Sequence, residues 1–423
     1  MNVVEMFSGI GSQAKALKRV GARKNTEIFI LKTCEWNIHA FLAYEIIHKN
    51  EDNPTKYEKL KKNELIKFLS NQSLSFNGKN AISGKQLKSY SVDFLNKINK
   101  AIINTNNLVD IKSVKGEDIP NNLDLLTYSF PCQDLSSVGS IHGYNKGIDR
   151  SENTRSGLLW EIERILLEKK DKGDSLPRFL LLENVTALNS IRHRSNFNEW
   201  QNRLIELGYI NKVFNLNAID FGIPQHRRRL IMLSVFVGDD KELSKKIEKY
   251  LTEKDLNNID YLNKLNIEKK SLESILKLET KGNTSLFKEA LQCQPNDTPS
   301  RQKIWASNSV LLDENLKFAA NSQTLTTKQD RNPNSGNIFF NYKNNKKSKF
   351  RYLTPRECFL LMGFDEIDFD LLLSNNFEYR PEKVFFTRDV MYKLAGNSIV
   401  VNVLERIFEQ VIDLNNIFFE NHN

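Results

Sequence analysis

The sequence predicts an α/β fold with a largely parallel sheet, helices on both faces and a second, smaller domain. Between residues 1 and 236, short apolar runs alternate with segments of helical periodicity, the pattern of strand–helix–strand units. Two chemically reactive side chains lie at the ends of these runs: Cys132 shortly after one run, and Glu183 as the last residue of another. Beyond residue 278 the helical period fades and Asn, Ser, Thr and Gln become frequent. This change of composition marks a segment that departs from the strand–helix pattern of the first domain.

Six apolar runs are expected to form the strands of the sheet, because each is short and bounded by polar or turn residues. They lie near residues 2–7, 27–34, 123–130, 178–183, 211–216 and 229–236. Residues 50–107 interrupt this pattern as a polar, Lys- and Asn-rich insert whose apolar residues recur at helical spacing. The insert is therefore expected to be helical.

The first strand leads into a glycine turn, Ser8-Gly9-Ile10-Gly11-Ser12, and then into a helix. This order forms the start of a Rossmann-like unit, in which the backbone approaches a ligand closely. The full dinucleotide fingerprint needs a third glycine, and Ala14 stands in its place. Glu35, after the second strand, can accept hydrogen bonds from a ribose, and Trp36 can cover an adenine. These residues favour a nucleoside ligand without a diphosphate, such as S-adenosylmethionine.

The apolar run that ends at Phe130 is followed by Pro131, Cys132 and Gln133, and the next run ends at Glu183. In an open parallel sheet, ligands bind at the carboxyl ends of the strands. Neighbouring strands would therefore bring the Cys132 thiol and the Glu183 carboxyl group together. Such a pair suits a thiolate that attacks an electron-poor ring while an acid stabilises a ring nitrogen. The alternative is a buried core cysteine followed by an ordinary turn.

A series of segments, in order along the chain, resembles the motifs of the DNA (cytosine-5)-methyltransferase family of bacterial and phage restriction–modification systems. These segments are residues 7–11, 35–36, 110–111, 130–133, 155–159, 183–185, 225–229, 351–357 and 396–400. The resemblance covers roughly residues 1–48, 108–236 and 322–410. It implies a domain with the S-adenosylmethionine-dependent methyltransferase fold and a smaller target-recognition domain.

The resemblance implies that a methyl group passes from S-adenosylmethionine to carbon 5 of a cytosine flipped out of double-stranded DNA, leaving S-adenosylhomocysteine. Cys132 would bond covalently to carbon 6, Glu183 would hydrogen-bond or protonate N3, and Arg229, with Arg227 secondarily, would position Glu183 or the base carbonyl. No metal is expected. The residues implied at the cofactor are Phe7, Ser8, Gly9, Ile10, Gly11, Glu35, Trp36, Asp110, Ile111, Phe130, Pro131, Asn397, Ser398 and Val400.

Side chains suited to DNA contacts follow the nucleophile motif and lie in the implied target-recognition domain. These DNA-binding candidates are Gln133, Ser136, Ser137, Arg301, Gln302, Lys303, Gln323, Thr324, Thr326, Lys328 and Arg331. Arg and Gln suit base edges, whereas Ser and Thr more often contact phosphates. The loop over residues 134–150 contains three glycines and is expected to close on DNA. The insert is expected to be a solvated helical addition, with a further DNA contact as the alternative.

The expected division is a catalytic domain over residues 1–237 and 388–423, a target-recognition domain over 238–350 and a hinge region over 351–387.

The chain carries 61 Lys and Arg against 52 Asp and Glu, a net charge of +9, which fits a polyanion partner without requiring one. Four widely spaced cysteines favour neither a disulfide framework nor a zinc site. The sequence has no secretory leader and no long apolar run, so a soluble cytoplasmic protein without membrane contact is expected. The protein is also expected to be a monomer. The resemblance also allows a cognate restriction endonuclease that acts separately.

Three other functions are alternatives to DNA methylation. A tRNA cytosine-5 methyltransferase would use the same motifs, but that branch usually lacks a large recognition domain, and here about 120 residues separate Arg229 from Arg351. A regulator that has lost catalysis is disfavoured by the intact Cys132, Glu183 and Arg229. A nucleotide-dependent oxidoreductase is suggested only by Gly9 and Gly11.

Overall fold

The computed structural model describes residues 1–49, 57–131, 135, 148–150, 156–278, 284–342 and 346–420. Backbone contacts divide the chain into two compact units. Unit 1 comprises Met1–Leu216, Arg228–Leu265 and Glu405–Asn423, and unit 2 comprises Asn217–Arg227 and Asn266–Leu404. None of the described helices combines the length and apolar character that a membrane-spanning helix needs.

Unit 1 is built on a six-stranded sheet. Its strands are β1 Asn2–Met6, β2 Phe29–Cys34, β3 Leu125–Tyr128, β4 Phe179–Val185, β5 Tyr209–Asn217 and β6 Arg228–Phe236. They are ordered β2-β1-β3-β4-β6-β5. β1 pairs in parallel with β2 and β3, β3 pairs in parallel with β4, and β4 pairs antiparallel with β6. All six predicted strands are present, and the predicted α/β fold is confirmed, with a mixed sheet.

Nine described α-helices lie wholly within unit 1 beside this sheet. They are α1 Ser12–Lys24, α2 Ile38–His48, α3 Lys62–Ser70, α4 Gly84–Lys88, α5 Val92–Asn104, α6 Leu159–Asp171, α7 Arg194–Glu206, α8 Lys241–Glu253 and α9 Ile259–Lys264. Apolar residues at helical spacing explain their packing: in α1, Ala14, Leu17 and Val20 are all buried. The insert is helical where it is described, because α3, α4 and α5 lie within it.

Unit 2 combines short helices with two small sheets. Its helices are α10 Leu272–Ile275, α11 Ser285–Gln292, α12 Pro299–Ser307, α13 Pro355–Leu361, α14 Glu366–Ser374 and α15 Arg388–Asn397. Its strands are β7 Val310–Leu312, β8 Asn337–Phe339, β9 Phe350–Arg351, β10 Glu378–Arg380 and β11 Lys383–Val384. Arg351 and Glu357 form a fully buried bidentate ion pair, with both N···O distances 2.8 Å. Removing one partner would leave the other charge buried and unpaired.

The units do not follow the predicted domain boundaries. Residues 238–265 belong to unit 1, where Lys212 pairs with Asp255 at 2.6 Å. Residues 388–404 belong to unit 2, and the last helix, α16 Val401–Asn415, begins in unit 2 and ends in unit 1. Amphipathic spacing reveals that a helix has an apolar face, but not which body covers that face. The functional assignment of the domains stays a prediction, since compactness does not establish what either unit does.

Candidate functional site

Four neighbouring strands end at one edge of the sheet in unit 1. The register aligns Met6 of β1 with Cys34 and Tyr128, and Tyr128 with Leu182 of β4. The residues one position further along each strand are Phe7, Glu35, Ser129 and Glu183. The structure therefore brings the glycine turn, the acid after β2, the segment before Cys132 and the predicted catalytic acid to a common edge, where ligands of such sheets bind.

The glycine turn after β1 has a backbone that favours glycine. Gly9 and Gly11 have φ values of +56° and +82°, in the left-handed region that side chains with a Cβ disfavour. A Cβ on Gly11 would lie 2.2 Å from Nε2 of His48, and that ring nitrogen lies 3.0 Å from the carbonyl oxygen of Ile10. The Ser8 hydroxyl is buried without a hydrogen-bond partner among the described residues. A buried polar atom of this kind is suited to bind a polar ligand.

The carboxylate of Glu35 is tied to the glycine turn. Its Oε2 accepts a hydrogen bond from the Gly9 amide at 3.1 Å, and its Oε1 accepts one from the Asn37 amide at 2.8 Å. Trp36, the next residue, is half-buried. Asp110 is also half-buried and accepts from the Lys112 amide at 3.1 Å. The side chain of Ile111 is buried in the core of unit 1.

The two residues before Cys132 are held from both sides. The Asn184 amide group donates to the Phe130 carbonyl at 3.0 Å, and the Ser156 hydroxyl donates to the Pro131 carbonyl at 2.7 Å. The chain thus leaves β3 with its two carbonyls fixed just before the predicted nucleophile. The candidates Cys132, Gln133, Ser136 and Ser137 lie outside the described residues, as does most of the 134–150 loop that is expected to close on DNA.

Glu183 and Arg229 form an ion pair across β4 and β6. The Arg229 Nε lies 3.2 Å from Oε1 of Glu183, and the two side chains are only 18% and 10% exposed. Arg229 stands opposite Val185 in the antiparallel register, and its Nη1 donates to the Arg228 carbonyl at 2.8 Å. The guanidinium is thereby placed to orient the Glu183 carboxylate. The partial burial of the two side chains strengthens their attraction relative to a fully exposed surface pair.

Arg227 donates hydrogen bonds to main-chain carbonyls of unit 2. Its guanidinium is buried in unit 2 and donates to the carbonyls of Leu325, Gly396 and Ser398 at 2.8, 3.0 and 2.8 Å. These bonds use its Nη1 and Nη2 donors within unit 2, and the expected role of Arg227 beside Glu183 or the base stays a prediction. The neighbouring Gln225 acts similarly, accepting from the Leu325 amide and donating to the Leu361 carbonyl, both at 2.8 Å.

Comparison with known proteins identifies the chain. Residues 64–413 match the family described as C-5 cytosine-specific DNA methylase. The "Orphan methyltransferase M.SssI" of Spiroplasma monobiae is 35% identical to this chain, over 97% of both sequences. The chain belongs to the C-5 cytosine-specific DNA methylase family. The "Type II methyltransferase M2.ScrFI" of Lactococcus lactis subsp. cremoris is 31% identical over 97% of this chain and 99% of its own. The predicted family and enzyme class are therefore confirmed.

Solved structures show the fold of the C-5 cytosine-specific DNA methylase family in this chain. The crystal structure of the S. pombe Dnmt2 methyltransferase has a TM-score of 0.58, covering 99% of this chain and 100% of that one at 17% identity. A putative DNA modification methyltransferase encoded within an E. coli prophage has a TM-score of 0.51, covering 98% and 99% at 15% identity. At these identities the likeness shows the fold alone, and that fold is the predicted methyltransferase fold.

The last motif of this DNA methylase lies in unit 2. Asn397 is exposed at the end of α15, whereas Ser398 and Val400 are buried. The Ser398 hydroxyl donates to the Leu394 carbonyl at 2.8 Å, so it caps the end of the preceding helix. A Cβ on Gly396 would lie 2.7 Å from the main chain of Thr326. The close approach explains the glycine, and the implied contacts of Asn397, Ser398 and Val400 with the cofactor stay predictions.

The DNA-binding candidates that the structure describes all lie in unit 2. Exposed among them are Gln302, Lys303, Gln323, Thr324, Lys328 and Arg331. Arg301 is half-buried and donates to the Asp330 carbonyl and to the Tyr352 hydroxyl, so its side chain braces the unit. Thr326 is likewise engaged, donating to the Lys328 carbonyl at 2.6 Å. Which of these residues contact DNA stays a prediction.

The three described cysteines of this DNA methylase are poor nucleophiles. Burial raises the pKa of the Cys34, Cys293 and Cys358 thiols above the usual range. At Cys34 the nearby carboxylates of Glu35 and Asp110 raise the pKa further. A thiol with a raised pKa stays protonated at neutral pH and reacts slowly. Within the described ranges, no group of three or more His, Cys, Asp or Glu could hold a metal ion.

Sequence reasoning missed Asn184, Ser156 and Asn107 as residues that shape this site. Asn184 and Ser156 fix the carbonyls before Cys132, and the Asn107 side chain bonds the main chain of Glu35. The first two stand inside segments that resemble family motifs, which is a signal that could have singled them out. Asn107 stands in an Asn-rich stretch and has no comparable signal.

Proposed function

We propose that the protein transfers a methyl group from S-adenosylmethionine to carbon 5 of a flipped cytosine in a specific duplex DNA sequence. The proposed path runs through a covalent bond between the Cys132 sulfur and carbon 6 of the base. The observation that carries this proposal is the largely shielded ion pair of Glu183 and Arg229, in which Nε and Oε1 are 3.2 Å apart. This pair lies at the strand edge where the chain leads into Cys132.

The chemistry needs a nucleophile because carbon 5 of cytosine is too weak to attack a methyl donor by itself. Addition of the Cys132 thiolate to carbon 6 pushes an electron pair toward carbon 5 and makes it nucleophilic. S-adenosylmethionine, when bound, supplies a methyl group on a positively charged sulfur. After carbon 5 is methylated, the loss of its proton returns the electron pair to the ring. The bond between sulfur and carbon 6 then breaks, and the thiolate is released.

Glu183 would act on the opposite side of the ring from the sulfur. As the thiolate adds, negative charge develops toward N3 of the base, and a carboxyl group hydrogen-bonded there stabilises it. The bond from Arg229 would hold that carboxyl group in one orientation, so that it need not reorganise during the reaction. Flipping the base into reach costs about a few kcal/mol of stacking and pairing, which contacts with DNA must offset.

The residues at the sheet edge fit an adenosine-containing methyl donor. The buried Ser8 hydroxyl and the tight turn at Gly11 provide a polar, closely approachable backbone, and no dinucleotide fingerprint is present. The Glu35 carboxylate, which accepts from the Gly9 and Asn37 amides, would also accept from ribose hydroxyls. Glu35, Trp36 and Asp110, with the glycine turn, would hold the donor, and unit 2 would supply duplex DNA contacts. By analogy with its type II relatives, we also propose a separately acting restriction endonuclease.

Incubation with tritium-labelled S-adenosylmethionine and either duplex DNA or tRNA tests this function. We expect label in DNA and not in tRNA, and we expect Cys132→Ser to abolish the transfer. Cys358→Ala is the matched control, since it removes a buried thiol whose raised pKa makes it unreactive. Label in tRNA alone would favour the tRNA methyltransferase alternative. Full transfer by the Cys132→Ser protein would contradict the proposed mechanism.

A further inference from the structure

The helical insert contacts the turn that follows β2. The Ser75 amide donates to the Trp36 carbonyl at 2.8 Å, and the Ile38 amide donates to the Ser75 carbonyl at 2.9 Å. Asn37 and Ser75 thereby form a parallel bridge. The main chain of the insert is thus bonded on both sides of Asn37, next to the residue proposed to cover the adenine.

The end of the insert is bonded to β2 itself. The Thr33 hydroxyl donates to the Thr105 carbonyl at 3.2 Å, and the Leu108 amide donates to the Thr33 carbonyl at 2.8 Å. The segment after α5 therefore runs beside β2, and the Thr33–Asn107 bridge is parallel. This pairing places Asn107 next to Glu35.

The side chain of Asn107 clamps the main chain of Glu35. Its Oδ1 accepts from the Glu35 amide at 2.9 Å and from the Val109 amide at 3.0 Å, and its Nδ2 donates to the Glu35 carbonyl at 2.9 Å. Asn107 is only 6% exposed, so water cannot easily replace these bonds. One side chain thus fixes both Glu35 and the turn that leads into Asp110.

The clamp extends to the glycine turn through the Glu35 side chain. Both carboxylate oxygens of Glu35 accept from main-chain amides, those of Gly9 and Asn37. A shift of the Glu35 main chain would therefore move the carboxylate and disturb the turn at Gly9. The insert, the acid after β2 and the glycine turn are linked by a continuous set of hydrogen bonds in unit 1.

We propose that Asn107 is a positioning residue for the methyl-donor site and that the insert serves this site. The inference rests on the proposed function, because it takes Glu35 and Asp110 to hold S-adenosylmethionine. Asn107 does not touch the donor; it sets the backbone from which Glu35 and Asp110 reach it. This gives the insert a role distinct from both a solvated addition and a DNA contact.

The test measures the affinity of the full-length protein for S-adenosylmethionine and S-adenosylhomocysteine by titration calorimetry. Asn107→Ala removes three bonds, two of them to the main chain of Glu35, and we expect affinity for both compounds to fall by about tenfold or more. The Michaelis constant for the donor should rise by a similar factor. The Michaelis constant for DNA and the rate at saturating donor should change by less than about threefold.

The matched control is Asn96→Ala in the same insert. Asn96 is as buried as Asn107, and it clamps the amide and carbonyl of Leu60 at 3.1 and 3.3 Å in the same manner. Both variants should lower the melting temperature, but Asn96→Ala should leave donor affinity within about twofold of the wild type. The comparison separates positioning of the donor site from general stability of the insert.

The outcomes distinguish this inference from the proposed function. A wild-type protein that binds neither compound would overturn both. If the wild-type protein binds both compounds and the Asn107→Ala variant binds them equally well, the positioning role alone is overturned. The same holds if Asn96→Ala weakens donor binding as much as Asn107→Ala does. If Asn107→Ala does not fold, Asn107→Asp keeps the two accepted bonds and replaces the donated bond with repulsion from the Glu35 carbonyl. Unweakened donor binding by the Asp variant would then contradict the inference.

Discussion

Replacing Arg229 with methionine should slow methyl transfer while leaving the fold intact. At 3.2 Å and an effective dielectric constant of about 20, the attraction between Arg229 and Glu183 has an upper bound of about 5 kcal/mol. Desolvation offsets part of this, and loss of one preorganised donor typically costs about 10²-fold in rate, or about 2.7 kcal/mol. We therefore expect the chemical step of Arg229→Met to be about a hundredfold slower.

The assay is single-turnover transfer of tritium from S-adenosylmethionine to duplex DNA, with both at saturating concentration, so that binding does not limit the rate. Arg228→Met is the matched control. It removes the same charge from the adjacent position of β6, where the side chain is exposed and points to the other face of the strand. We expect it to react within about threefold of the wild type. An Arg229→Met rate equal to that of the control would refute the role given to the ion pair.

Three other substitutions have defined outcomes. Gly11→Ala places a Cβ 2.2 Å from His48 Nε2 at a φ of +82°, so thermal unfolding should show a free energy of unfolding lower by about 2–4 kcal/mol. A Cβ on Gly9 meets no atom within 4 Å, so Gly9→Ala should lower the same quantity by only about 1 kcal/mol. Equal losses in the two variants would contradict the packing argument. Burial raises the pKa of Glu5 from 4.5 to about 7, so between these pH values the folded protein keeps a proton that the unfolded chain releases. The free energy of unfolding should therefore fall by up to about 3 kcal/mol as pH rises through that range. Urea titrations at pH 5 and pH 8 should show this fall in the wild type and not in Glu5→Gln, and an equal fall in both proteins would contradict the role given to Glu5. Asn184→Ala removes the hydrogen bond to the buried Phe130 carbonyl. Single-turnover methyl transfer should therefore slow by about tenfold, while gel-shift titrations should show unchanged DNA affinity. An unchanged rate would mean that this bond does not position Cys132.

The strands of unit 1 could be predicted from the sequence because burial leaves a clear signature. β3 is mostly apolar and β4 begins with the apolar run Phe179–Leu182, and both strands are buried along nearly their whole length. The predicted bounds differ from the observed ones at the ends, where few side chains are buried. The assignment of α8 and α9 to a unit could not be predicted, since a helix with one apolar stripe fits any apolar partner.

The candidate site was predictable to the extent that its residues carry distinctive chemistry. Glu183 and Arg229 were expected to interact, and they are paired in the structure. Arg227 and Arg229 belong to one basic segment, and the sequence does not show that Arg227 donates to the carbonyls of Leu325, Gly396 and Ser398 in unit 2. The clamp at Asn107 depends on a contact between distant segments, which spacing along the chain does not encode.

The formation of a bond between Cys132 and cytosine is tested most directly with duplex DNA that contains 5-fluorocytosine. The fluorine at carbon 5 cannot leave as a proton does, so the methylated adduct should stay bound to the protein. Mass spectrometry of the digested complex should find the base attached to the peptide that contains Cys132, only when S-adenosylmethionine is present. Attachment to a different residue, or an equally stable adduct with the Cys132→Ser protein, would contradict the mechanism.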